Sequence, residues 1–209
     1  MSSYELKVLF TESDVQKINL NKQKLTLVKT LSSGSQSTLT WLSISPFENN
    51  QITWSNKFGV YVSNTKVEAG AKIFKISAQN PASDQHCYPF QNGIFLEPRK
   101  LEEPFRNKYQ IKNETSQDLT FGLTQGIVFN GNKFDANPLN AVTVFENETA
   151  TFSAIEKVKV YLSTCEDNGV VISEIASEAI ELDFTDLRNS SKCISYAHGH
   201  FIEKKCANV

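Results

Sequence analysis

The stretch that most constrains the fold runs over residues 38–64, TLTWLSISPFENNQITWSNKFGVYVSN. It holds both tryptophans of the chain, Trp41 and Trp54, together with Phe47, Phe58 and Tyr61. These rings fall in two alternating runs separated by the breaker cluster Ser45-Pro46-Phe47-Glu48-Asn49-Asn50. Alternation rich in aromatic and β-branched residues reads as strand, because such side chains fit a pleated, half-buried surface, and the cluster reads as a turn. Each buried ring removes roughly 150–250 Å² from water, so this stretch is expected at the centre of a β core.

The same period-two pattern recurs along the chain. Tyr4, Leu6, Val8 and Phe10 alternate with Glu5 and Lys7, the mark of a half-buried first strand. Thr11 to Asp14 offers a cap for a short helical turn, with too few apolar residues after it for a long helix. Strands are expected at 25–31, 72–77, 108–113, 119–125, 141–146, 149–154, 158–164, 170–175 and 179–184. Gly122 inside one of them predicts a bulge or a close backbone approach. Asn130-Gly131 is a hairpin signal, with Asn132-Lys133 lengthening its loop. Residues 193–196 and 199–203 suggest a terminal hairpin. Between 79 and 104 the prolines at 81, 89, 98 and 104 each remove a ladder donor, which predicts a long irregular segment and a place to look for a binding surface. The whole predicts a single all-β domain over 1–209, an antiparallel β-sandwich of roughly twelve to fourteen strands with little helix.

Charge narrows the partners. Lysine plus arginine number 21 against 23 acidic residues, a net charge of -2. Such a balance builds no field to gather nucleic acid or anionic lipid. No basic, apolar leader opens the sequence and no window approaches eighteen apolar residues, so an intracellular chain without a transmembrane segment is expected. The four cysteines, Cys87, Cys165, Cys193 and Cys206, form no CxxC pair, and no zinc or thioredoxin-type site is expected. They read as free thiols in a reducing compartment; in an oxidising one Cys193 and Cys206, near the end of the sequence, are the candidates for bridges within or between molecules. Sequons at Asn113, Asn147 and Asn189 are expected to be unused.

Motifs that carry chemistry are sparse. His198-Gly-His200 would share a face on a strand, as metal ligands do, with Glu203 nearby, but the spacing is one residue short of the cupin histidine motif. His86 and Cys87 are adjacent and would point to opposite faces, which excludes direct pairing as base and thiol nucleophile. Glu97, Glu102 and Glu103 are loop acids with no fixed separation for glycosidase work. Trp41, Trp54 and Phe58 could line a sugar-binding surface, although alternating aromatics in strands are more often core. No cofactor, no metal and no catalytic residue is expected, and the chain reads as a non-enzyme.

Trp41-Leu-Ser-Ile-Ser-Pro-Phe-Glu-Asn-Asn50, Ile52-Thr-Trp54, Phe58-Gly-Val-Tyr-Val-Ser63, Gly70-Ala71, Phe121-Gly-Leu-Thr-Gln125 and Asn140-Ala141 resemble OCTIN-like proteins of bacteria and mucoromycete fungi. That resemblance implies a protein that builds dense vacuolar crystals used in gravity sensing, with cysteine-dependent bonds in the crystal matrix. The expectation is therefore a structural protein whose partner is itself, assembling into an ordered particle or crystal. Cys193, Cys206, Cys165 and Cys87 are its candidates for intermolecular disulfides, the first two favoured by position. The alternative is a lectin-like module that binds carbohydrate or lipid through the segment at 79–104.

Overall fold

The alternation at the start of the chain does make a strand, and its two neighbours show how the chain is closed. The computed structural model describes residues 2–30, 37–103, 106–164, 167–172, 175, 178–186, 188 and 190–206. In chain order the strands are β1 (Ser3–Leu9), β2 (Lys24–Thr30), β3 (Ser37–Thr38), β4 (Thr40–Ile44), β5 (Asn49–Ser55), β6 (Phe58–Ser63), β7 (Ser77–Gln79), β8 (His86–Gln91), β9 (Ile94–Phe95) and β10 (Arg99–Lys100). They continue as β11 (Lys108–Asn113), β12 (Leu119–Phe129), β13 (Asn132–Pro138), β14 (Asn140–Val144), β15 (Thr149–Ser153), β16 (Lys157–Ser163), β17 (Ile180–Asp183), β18 (Ser191–Ala197) and β19 (His200–Lys204). The fold is all-β. One nine-residue helix, α1 (Glu12–Leu20), interrupts the strands of the described residues, capped by the Thr11 side chain on the Asp14 amide.

Three sheets share these strands. The largest runs β19-β18-β1-β5-β12-β14-β3, with β13 and β6 also on β12 and β7 on β6. A second runs β10-β8-β11-β15 with β9 on β8, and a third runs β17-β16-β2-β4. One apolar cluster draws on all of them, from Leu6 and Trp54 through Tyr88 and Phe152 to Leu25 and Val160. Most neighbours are antiparallel, but β1 with β18 and β8 with β11 are parallel, which departs from a purely antiparallel sandwich. Four of the nineteen strands among the described residues are only two or three residues long, too short for alternation to register, so the sequence count of twelve to fourteen falls below the number observed there.

Trp41 and Trp54 are both buried, yet their strands do not pair with one another. β4 belongs to the third sheet and β5 to the first, so the breaker cluster is a corner between sheets. Asn50 pins that corner, donating to Val8 O at 2.9 Å and Phe47 O at 2.7 Å. The rings meet edge-to-face with centroids 5.4 Å apart.

Several boundaries differ from the pattern reading, each for a physical reason. The segment at 79–104 is not one irregular loop, because residues 86–91, 94–95 and 99–100 make strands. Pro89 sits in β8 where the pairing to β10 at Cys87 has ended and that to β9 at Phe90 begins, so its missing N–H falls at a break in the ladder. The expected strand at 72–77 shrinks to a bridge from Lys72 to Val170, and β7 starts only at Ser77. Its backbone is taken up elsewhere: Ile73 donates to Gly169 O and Ile76 to Val62 O, each at 2.9 Å. Residues 170–175 likewise reduce, within the described residues, to bridges at Val170 and Val171. At the β12–β13 hairpin, Asn130 (φ 46°) and Gly131 (φ 82°) are the entire two-residue turn, and Phe129 pairs with Asn132. Asn132 and Lys133 therefore belong to β13 rather than to the loop.

Candidate functional site

The unusual chemistry lies where the sheets meet. Lys29 follows Leu25 and Leu27 at the two-residue period of β2, and its side chain is fully buried. Its Nζ sits 4.7 Å from the Trp41 ring centroid and 4.8 Å from that of Trp54, held between two indole faces. Its ionic partner is Glu156 Oε2, from the residue just before β16. The same oxygen accepts from Trp54 Nε1 at 2.9 Å, and Oε1 accepts from Gln125 Nε2 at 3.2 Å. Gln125 also donates to Ser55 O at 2.8 Å, and its backbone oxygen accepts from Trp41 Nε1 at 3.0 Å. Gln125 Oε1 is buried with no partner among the described residues. Tyr4 and Phe184 pack on Trp54 with centroids 5.6 and 4.9 Å away. Burial pushes the Lys29 ammonium below its ordinary range, with Glu156 pulling it back.

Two charges removed from water cost several kcal/mol each in principle, recovered only when geometry and further hydrogen bonds are good. Here they are: the carboxylate holds three donors. Neither residue stood out in the sequence. The available signal was a lysine at an inward position of β2, after Leu25 and Leu27; nothing in the sequence marked Glu156.

Grooves open on the surface among the described residues, away from this cluster. One, of about 610 Å³, is lined by Lys7, Asn49, Asn130, Cys193, Lys204 and Lys205 among others. Asn130 joins its wall to β5 through a Gln51 amide at 2.7 Å. A second, of about 490 Å³, shares Asn49 and Asn130 and adds Phe47 and Phe129, whose rings stack at 6.1 Å. A third, of about 430 Å³, lies between residues 77–79 and 94–98.

The residues singled out in the sequence are scattered. Cys193 and Cys206 are joined within one chain, Cα atoms 5.3 Å apart, tying β18 to the residues after β19. Cys87 is a free, half-buried thiol that burial pushes up while Arg99 and Lys112 pull it down, and Cys165 lies outside the described residues. His198 takes a turn position at φ 55° and His200 begins β19, so the two do not share a strand face. Glu203 is engaged by Lys192 at 2.7 Å. His86 Nδ1 lies 2.7 Å from Asp84 O. Glu97, Glu102 and Glu103 are exposed. Trp41, Trp54 and Phe58 are interior, which removes them as a sugar-binding surface. Asn113 is buried, its amide spent on Gln117 O at 2.7 Å and Val144 O at 3.0 Å, so that sequon is closed in the folded chain. Asn147 is exposed and Asn189 lies outside the described residues.

Fold and site together define a class: an all-β protein of three sheets around a buried ion pair. No family model, curated protein or solved structure matches this chain.

Proposed function

We propose that this is a non-enzymatic structural protein whose copies associate into an ordered particle or crystal. The observation that carries the reading is the spread of exposed large apolar side chains over different elements. They include Leu20 at the end of α1, Phe47 at the corner, Phe74 and Ile76 before β7, Ile94 on β9, Phe145 after β14 and Ile202 on β19. A lattice needs several distinct contacts per copy, and these side chains lie on several different elements. The net charge of -2 keeps repulsion between copies small. Outer strand β19 carries Glu203 and Lys204 on its edge, charges that oppose simple strand addition, so contacts through side chains are favoured. Because Cys193 and Cys206 are bonded within the chain, cysteine links between copies require exchange at that bond or use of Cys87 or Cys165. A dense vacuolar crystal with a gravity-sensing role is the finer form of this reading, and it rests on the resemblance to OCTIN-like proteins alone.

The test is to express the chain alone and follow particle size by light scattering and electron microscopy, with and without dithiothreitol. High-order particles are expected, weakened in a Phe74→Ser, Ile76→Ser variant that keeps its unfolding midpoint. A monomer at every concentration ends the proposal.

A second reading, a carbohydrate- or lipid-binding module, is favoured by the groove between residues 77–79 and 94–98, which lies on the segment singled out in the sequence. Glycan-array and liposome binding separate it from self-assembly.

A further inference from the structure

Among the described residues, Lys29 is the one lysine in the fully buried class, and its ammonium has a single acceptor, Glu156 Oε2. The ladder between β2 and β16 sets Lys157 opposite Thr30 and Val158 opposite Lys29. That register holds Glu156, one residue outside the ladder, close to the Lys29 end of β2. Trp41 and Trp54 flank the fully buried Lys29 ammonium, Glu156 is mostly buried, and the carboxylate is polarised by donors on each oxygen.

We propose that Lys29 and Glu156 condense inside the folded chain into a side-chain amide, tying β2 to the segment that enters β16. The step balances without a co-reactant. A proton passes from Nζ to Oε2, and the freed Nζ lone pair adds to Glu156 Cδ. Negative charge then develops on Oε1, where the Gln125 Nε2 donor at 3.2 Å receives it. A second proton moves from Nζ to Oε2. The Cδ–Oε2 bond breaks with its electron pair on oxygen, and that oxygen leaves as water carrying two of the three ammonium protons. Trp54 Nε1, 2.9 Å from Oε2, stabilises the departing oxygen. Ammonium and carboxylate become an amide plus one water, and nothing is oxidised or reduced.

Two effects drive this pair where free amine and acid in water do not react. Held contact replaces an encounter between separate molecules, an advantage that reaches very high effective concentrations in well-oriented systems. Burial disfavours the Lys29 ammonium, whereas a neutral amide has no charge to desolvate. The reaction belongs to folding: it alters the protein once and leaves no turnover.

Intact-mass spectrometry of the full chain tests it, with the protein folded, incubated from neutral to mildly alkaline pH, then reduced and denatured. The expected mass lies one water below the sequence value, and digestion yields a branched peptide joining Lys29 to Glu156. Lys29→Met is expected to keep the full mass. An unreacted wild-type chain after incubation overturns the proposal, as does a water loss that maps elsewhere or persists in Lys29→Met. Should that variant fail to fold, the wild-type peptide map decides the matter alone.

Discussion

Replacing Gly122 by alanine asks whether β12 passes its neighbours as closely as the structure has it. A Cβ at this position would lie 2.1 Å from Asn140 O, 2.6 Å from Tyr61 Cε1 and 2.9 Å from Tyr61 Oη. Ordinary carbon–oxygen contacts begin near 3.3 Å, so β12 and β14 must part by about 1 Å or more. The same carbonyl accepts the Tyr61 hydroxyl at 2.6 Å, and Asn140 Oδ1 accepts from Leu123 N at 2.8 Å. Separation therefore strains two buried hydrogen bonds, each about 1–3 kcal/mol when a partner is left unmet, on top of about 1–3 kcal/mol for overpacking. The expected loss is about 3–9 kcal/mol, a large part of the stability of an ordinary domain. Gly126→Ala is the control: its Cβ would meet nothing nearer than Phe134 O at 3.8 Å. Urea unfolding followed by tryptophan fluorescence measures both. If Gly122→Ala comes within about 1 kcal/mol of Gly126→Ala, the close passage is refuted.

Two further outcomes concern pH and the C-terminal bond. Burial pushes the phenols of Tyr61, Tyr109 and Tyr88 above their ordinary value. A raised folded value means their contribution to stability is intact below about pH 10 and lost as pH climbs past it, so phenolate absorbance and loss of native fluorescence should rise in one cooperative alkaline step; tyrosines ionising gradually in a still-folded chain would contradict this. Breaking the Cys193–Cys206 link by Cys206→Ser, which leaves the buried Cys193 in place, frees a sequence separation of 13 and should cost about 3 kcal/mol in urea. A change below about 0.5 kcal/mol would mean the link does not constrain the chain.

How much of this was legible follows from which forces act locally. The alternation of Tyr4, Leu6, Val8 and Phe10 announced β1, and Asn130-Gly131 announced a hairpin, because one residue's neighbours settle its face and one dipeptide settles its turn. Gly122 announced a close approach for the same reason: nothing larger fits. Partnership between strands was not legible. The tryptophan runs read as two strands joined by a turn and lie in different sheets, since pairing is decided by the whole topology. Pro89 argued against a strand and sits in β8 all the same, at a gap between two partners that no local rule could place. Lys29 and Glu156 were invisible for a further reason. A lysine in a strand is ordinarily solvated, and what buries this one is the meeting of β2, β4 and β5, an event separated in sequence from Glu156 by 127 residues.

The parallel pairing of β1 with β18 sets Glu5 beside Ser191 and Leu9 beside Ser195. A ribosome making this chain finishes β1 before β2 through β17, and β18 only after them. Until then one flank of the nascent central sheet lies open, with its amide groups free to take a strand from elsewhere, including from a neighbouring nascent copy. Stalling or truncating translation ahead of residue 191 should therefore produce an intermediate that clings to its own kind or to chaperones, and the closing of that flank is the moment at which the molecule becomes safe to release.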